Sequence, residues 1–219
     1  MNAGALLLEG TRSAVVALAQ KMVRDRLVVG TSGNISCRDG DLVAVTPSGT
    51  DYDTMRPEDV VVVDLEGDVV DGDLSPTVEL PLHMTCYQRH GARAVVHTHS
   101  AAATALSLLR DSVPPVHYQI AMFGGSVAVA PYATYGTTEL MESVSAALEG
   151  RTGAVMKHHG TITIGETLQK AYDRARQLEW LCEVWLRASA AGSPASLPQD
   201  EIDRVVAAFA TYGQQPGVR

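Results

Sequence analysis

Apolar residues recur at three- and four-residue intervals over 11–27, where Val15, Leu18, Ala19, Met22 and Val23 share a face and Arg12, Lys21, Arg24 and Arg26 lie elsewhere. This spacing predicts an amphipathic helix. A second stripe, Leu168, Ala171, Tyr172, Ala175, Leu178, Cys182 and Trp185, predicts the longest helix, over 167–191, with its apolar face in the core. Short β-branched or alternating runs predict strands at 42–46, 94–99, 116–120, 127–130, 154–160 and 161–164, and 60–64 with 68–70 flank Glu66-Gly67 as a hairpin. Further helices are expected at 75–90, with Pro76 in the first turn where amides need no intrahelical partner, at 101–110, from a Thr137 cap to 148, and from an Asp200 cap to about Tyr212. Strands interleaved with helices indicate an α/β layered domain whose adjacent strand pairs need not all be parallel.

Composition narrows the setting. The 219 residues are 46% apolar and contain no linker-like stretch, so one domain over 1–219 is expected, with a loose tail at 213–219. Cys37, Cys86 and Cys182 are an odd number without Cys-x-x-Cys spacing, which favours reduced thiols and a cytoplasmic location. No apolar run approaches the ~18 residues a membrane span needs, and no basic region precedes Leu6-Leu7-Leu8, so a soluble, unexported protein is expected. A net charge of −8 argues against a nucleic-acid partner.

Chemistry concentrates in a few places. His97-Thr98-His99 ends an apolar run, and on a strand residues two apart share a face, so both imidazoles converge on one point. A second run ends in His158-His159-Gly160. Adjacent strand residues face opposite ways, so only one of those two joins the pair. Glu79 adds a carboxylate at the start of a helix. Three imidazoles and a carboxylate suit zinc, which takes nitrogen and oxygen donors and keeps one position open or exchangeable in catalytic sites. Gly30-Thr-Ser-Gly33-Asn34 and Pro47-Ser48-Gly49 are loops whose backbone amides and hydroxyls can hold a small anion, although either also reads as an ordinary turn.

Thr31-Ser-Gly-Asn-Ile-Ser36, Thr46-Pro-Ser-Gly49, Glu79, His97-Thr-His99, Ala130-Pro-Tyr-Ala-Thr-Tyr-Gly136 and His158-His159-Gly160 stand in the order and at the spacing of a known family. The chain resembles the class II aldolase/adducin family, and within it the L-fuculose-1-phosphate aldolases, from the first helix to the last. The resemblance implies a three-layer α/β/α fold with a mixed central sheet, and a homotetramer with active sites between subunits. It also implies zinc on His97, His99 and His159, which selects His159 over His158, with Glu79 moving between metal ligand and acid–base group. The implied reaction cleaves a ketose 1-phosphate to dihydroxyacetone phosphate and an aldehyde through a metal-stabilised enediolate. By the same resemblance Tyr118 of a neighbouring subunit protonates the aldehyde-derived oxygen. Gly33, Asn34, Ser48, Gly49 and Thr77 hold the phosphate, and Tyr135 and Tyr212 line the aldehyde pocket.

Two departures matter. Relatives that epimerise pentulose phosphates carry an extra acid where this chain has Met122, which counts against that activity, while decarboxylation of a hydroxylated aromatic or keto acid stays open as an alternative. Adducin-like relatives lose the ligands that this chain retains, making a purely structural role remote. Close family members have two serines before the glutamate. Here they are Thr77 and Val78, so one phosphate donor is missing.

Overall fold

In the computed structural model residues 6–209 are described. The elements in chain order are α1 (Glu9–Arg24), β1 (Asn34–Asp39), β2 (Leu42–Val45), β3 (Val61–Asp64), β4 (Val69–Asp71), α2 (Leu80–His90), β5 (Ala94–Thr98), α3 (Ala101–Ser107), β6 (Ser112–Val113), β7 (Val127–Ala130), α4 (Thr138–Ala147), β8 (Gly153–Met156), β9 (Gly160–Gly165), α5 (Leu168–Ala191) and α6 (Gln199–Phe209). The strands form one sheet in the order β4-β3-β2-β1-β5-β9-β8-β7-β6. Every neighbouring pair is antiparallel except β7 with β8, so the sheet is mixed. Helices α2 and α4 close one face over Val43, Val63, Val95 and Ile162. Helix α1 and the start of α5 pack on Ile35, Ala44 and Val96 on the other face, and α3 with the rest of α5 covers Val129 and Val155. The three-layer α/β/α arrangement expected from the sequence is the one observed. Among the described residues no helix is long and apolar enough to cross a membrane.

Four local readings need correction. Residues 75–78 are not helical. Pro76 bridges Pro47, the Ser48 amide donates to the Ser75 carbonyl at 2.9 Å and the Thr77 amide to the Thr46 carbonyl at 3.1 Å, so this stretch is extended and pairs with the chain just past the end of β2. Proline drives its predecessor into extended backbone, and the helix waits until Leu80, with Pro81 in its first turn. The run at 116–120 is not a strand either. It enters a 3₁₀ helix, Tyr118–Phe123, whose Ile120 and Phe123 are buried three residues apart, and the His117 ring accepts the Gln119 amide as its cap. Strand β1 was not anticipated, because its Asn34, Ser36 and Arg38 are polar. Finally, His158 and His159 lie in the loop between β8 and β9, not on a strand. The Tyr212 end of the last helix and the tail at 213–219 lie outside the described residues.

The sheet centre is tight where β9 meets the end of β5. A Cβ at Gly160 would stand 1.9 Å from the Thr98 carbonyl oxygen, whereas one at Gly10 in α1 meets nothing within 4 Å. Opposite outcomes are therefore expected. Gly160→Ala should cost roughly 1–3 kcal/mol or more through overpacking, and Gly10→Ala should be neutral or gain roughly 0.5 kcal/mol from helix propensity. Urea unfolding of both variants beside the parent checks the pair, and a stable Gly160→Ala protein would contradict the close approach.

Candidate metal centre and active site

The site grows from β5 and the turns beside it. Pairing of β5 with β1 sets His97 opposite Asn34, and pairing with β9 sets it opposite Ile162. His99 follows one residue past the strand and still points to the side His97 uses. Their Nε2 atoms are 2.9 Å apart. The third imidazole comes from the three-residue loop joining β8 to β9, which closes when the His159 amide donates to the Met156 carbonyl at 3.1 Å. Three-residue hairpin loops need a residue in the left-handed region, and His158 fills that position at φ 59°. His159 is thereby turned inwards, with its Nε2 3.2 Å from that of His99. Glu79 is the N-cap residue of α2 but makes no capping bond with its side chain. Its carboxylate reaches into the cluster instead, Oε2 3.1 Å from His97 Nε2 and Oε1 3.4 Å from His159 Nε2.

These four donors fit a cation. Their ligand atoms lie within 4.8 Å of one another. A tetrahedral ion with bonds of about 2.05 Å separates its ligands by about 3.3 Å, and the close pairs here span 2.9 to 3.4 Å. His97 Nδ1 lies 2.8 Å from the Thr161 carbonyl, which only accepts, so Nδ1 carries the proton and Nε2 presents a lone pair. His99 Nε2 faces two other imidazole nitrogens with at most one proton to share, and Glu79 Oε1 is buried without a hydrogen-bond partner. A positive ion at their common centre satisfies all of them.

Electrostatics agree. Burial alone would raise the Glu79 carboxyl, but His97, a hydrogen bond from Asn34 and His159 outweigh it and hold the group well below the usual carboxylate range. Burial, then the neighbouring imidazoles, pushes His99 down to about 4, and burial with His97 does the same to His159. Both are neutral near pH 7, the form that ligates metal.

The cluster sits at one side of a cavity of about 340 Å³. Gly33, Asn34, Ser48, Gly49, Thr77 and Tyr135 all line it, as do Glu79, His99 and His159, while His97 is fully buried behind them. The Asn34 side chain is oriented by two contacts, Nδ2 donating to Glu79 Oε2 at 2.8 Å and Oδ1 lying 2.5 Å from His83 Nε2, which leaves the second Nδ2 proton. Gly33 holds a positive φ where a Cβ would meet the His97 carbonyl at 2.8 Å, and its own carbonyl accepts the Tyr52 hydroxyl. Tyr118 does not line this cavity. It is half-exposed and stacks on His117, which meets Trp180 edge-on. Tyr212 lies outside the described residues. Sequence reasoning gave Tyr132 no site role and set His158 aside once His159 was chosen as ligand; the two rings meet edge to face at 5.8 Å on the cavity wall. It also overlooked His83, Ser36 and Tyr87 behind Glu79; the signal was polar residues at four-residue spacing, Glu79, His83 and Tyr87, on a helix face that had to be buried.

Two outcomes are expected. Protein purified without chelators should carry about one divalent ion per chain, lost in His97→Ala and His159→Ala and kept in His158→Ala; elemental analysis decides, and a metal-free His158→Ala protein would contradict the geometry. His83 supplies a pH dependence. Burial, then His97, lowers it to about 3, whereas in the unfolded chain it titrates near the ordinary value of 6.5. The unfolded state therefore binds the extra proton between these values. Stability from neutral His83 is complete above pH 6.5 and falls as the pH drops toward 3, by at most about 1.4 kcal/mol per unit. The stability difference between wild type and His83→Gln should narrow from pH 7 to pH 4.5 in urea titrations, and a constant difference would rule the effect out.

Residues 13–186 match the family model described as the class II aldolase and adducin N-terminal domain. A 5-deoxy-D-ribulose 1-phosphate aldolase of Bacillus thuringiensis is 36% identical over 96% of this chain and 100% of its own length. The L-fuculose phosphate aldolase of Escherichia coli is 40% identical over 91% and 94% of the two chains. A solved L-fuculose 1-phosphate aldolase superposes with a TM-score of 0.88 at 34% identity, covering 92% of this chain and 96% of its own. With the family model, near full-length sequence similarity and the superposition in agreement, this chain belongs to the class II aldolase and adducin family, among its carbon–carbon lyases.

Proposed function

We propose that the chain is a zinc-dependent aldolase that cleaves a deoxyketose 1-phosphate to dihydroxyacetone phosphate and an aldehyde. The observation that carries this reading is the Glu79, His97, His99 and His159 cluster opening onto a cavity with a hydroxyl- and glycine-lined wall. The substrate class follows the relatives, whose names print 5-deoxyribulose 1-phosphate and L-fuculose phosphate. Tyr132, Ala133 and Tyr135 on the cavity wall suit a methyl-bearing aldehyde half. Further parts of the proposal are a cytoplasmic homotetramer and a Tyr118 that serves the cavity of a neighbouring copy, a role consistent with its exposure and its absence from the cavity of its own chain.

In cleavage the C3–C4 bond breaks, the C4 hydroxyl gives up its proton and C3 takes one. Zinc, when bound, supplies a Lewis acid for the negative charge that develops on the substrate oxygens. Tyr118 takes the C4 hydroxyl proton in cleavage and returns it in synthesis. Glu79 delivers the proton to C3 and removes it in the reverse direction. Asn34 occupies Oε2, so the proton moves at Oε1, and the carboxylate has to turn toward the cavity because Oε1 is shut off from solvent here. Among the described residues the cavity wall carries no Lys or Arg to meet the phosphate. Thr77 Oγ1 accepts the Glu79 amide at 3.3 Å, which leaves its own proton to donate. Val78, 60% exposed beside it, offers nothing to an anion, so phosphate is held more weakly than by two hydroxyls.

Glu79→Gln should retain metal while exchange of the α-hydrogen of dihydroxyacetone phosphate with solvent falls ~10²–10⁴-fold; exchange followed by NMR checks this, and an unimpaired rate would overturn the proton-transfer role. Val78→Ser adds a donor worth about 10-fold in preference for phosphorylated over unphosphorylated donor. Competition between the two donors measures it, and an unchanged preference would show Val78 to be a neutral packing residue.

A further inference from the structure

Behind Glu79 lies a buried polar ladder that the proposed reaction does not use directly. Glu79, His83 and Tyr87 follow at four-residue spacing at the start of α2 and along it, and Asn34 and Ser36 at two-residue spacing along β1. Four helical residues rise about 6.0 Å and two strand residues about 6.7 Å, so the two rows interdigitate. The contacts run Glu79 Oε2 to Asn34 Nδ2 at 2.8 Å, Asn34 Oδ1 to His83 Nε2 at 2.5 Å, His83 Nδ1 to Ser36 Oγ at 2.6 Å, and Ser36 Oγ to Tyr87 Oη at 2.5 Å. All five residues are buried, and His83 and Ser36 are fully so.

One arrangement of protons satisfies the whole row. A carboxylate only accepts, so Asn34 turns its NH₂ to Glu79 and its oxygen to His83. That oxygen requires a proton on His83 Nε2. A buried neutral imidazole then has a bare Nδ1, which takes the Ser36 O–H, and Ser36 in turn accepts from Tyr87. Turning the Asn34 amide over would set an oxygen against the carboxylate and an NH₂ against the His83 N–H, so Glu79 and His83 together hold it.

Resting on the aldolase reading for its kinetic part only, we propose that His83 is a positioning residue: through Asn34 it pins Glu79 Oε2 and leaves Oε1 as the one oxygen free to change roles. Such a residue contacts neither substrate nor metal, yet removing support of this kind typically costs about 10–100-fold in metal affinity or activity.

The test uses the intact protein and has parts that need no substrate. A long-range ¹H–¹⁵N spectrum at pH 7, with the His83 signals assigned by their loss in His83→Gln, should show the neutral Nε2–H tautomer. An Nδ1–H tautomer would overturn the proposal. Zinc affinity, measured by competition with a chelator, should fall about 10-fold in His83→Leu and stay within about 3-fold of wild type in His83→Gln, whose amide can still donate to Asn34. Per zinc-loaded site, His83→Leu should slow exchange of the dihydroxyacetone phosphate α-hydrogen at least about 10-fold with KM within about 2-fold, and His83→Gln should restore most of it. If His83→Leu does not fold, Ser36→Ala, which removes the donor to Nδ1, should show the same losses at smaller size. Unchanged zinc affinity and exchange in the folded variants, or equal losses in the Leu and Gln variants, would overturn the role. A wild type without exchange would count against the aldolase reading alone, with the tautomer and zinc affinity still deciding the role of His83.

Discussion

A carboxylate withdrawn from water must be surrounded by donors or cations, and that requirement at Glu79 governs how this molecule is put together. The group is buried where α2, β1, β5 and the β8–β9 loop meet: β1 supplies the Asn34 amide that donates to it, and β5 and the loop bring His97 and His159 beside it as the donors with which it would share a cation. Left alone there it would take up a proton, because desolvation penalises the ionised form. Instead the Asn34 amide donates to it, and the His97 and His159 imidazoles complete with it a donor set for a cation. Elements distant in sequence are thus obliged to meet at one point, and the tight packing of β9 against the end of β5 is part of the same convergence.

Much of this was legible from residue spacing. Period two along β5 put His97 and His99 together, and the acid at the head of α2 was recognisable as their companion. The choice between His158 and His159 was not open to the same reasoning, since both lie in the turn between β8 and β9, where strand alternation does not apply. Strand β1 escaped because hydrophobic alternation is the usual sign of a half-buried strand. On β1 the face toward α2 is polar, and its burial becomes intelligible only when His83 and Tyr87 are seen opposite. The 3₁₀ turn at Tyr118–Phe123 was hidden for a related reason: a β-branched run can bury its apolar residues three apart as readily as two apart when a capping ring closes the first turn.

The anion side of the cavity illustrates a different economy. The Pro47 and Pro76 segments are zipped to each other by backbone hydrogen bonds, so a loop that read as a turn and a stretch that read as a helix start form one wall. A wall built from backbone and short hydroxyls can recognise a phosphate by shape and direction without fixed cations. That choice suits a chain whose net charge is strongly negative, since selectivity then rests on placement more than on attraction over distance.

The matched spacing of α2 and β1 has a mechanical consequence. A helix packed on a sheet through aliphatic side chains can shift by fractions of an ångström at small cost, because such contacts are non-directional. Here a slide of α2 along β1 would lengthen several short, oriented hydrogen bonds at once, and a turn about its own axis would carry Glu79, His83 and Tyr87 away from the strand together. The helix is keyed to the sheet like teeth in a rack. Thermal motion of the carboxylate is therefore tied to that of the sheet centre, even though the residue stands at a helix end where fraying is the rule.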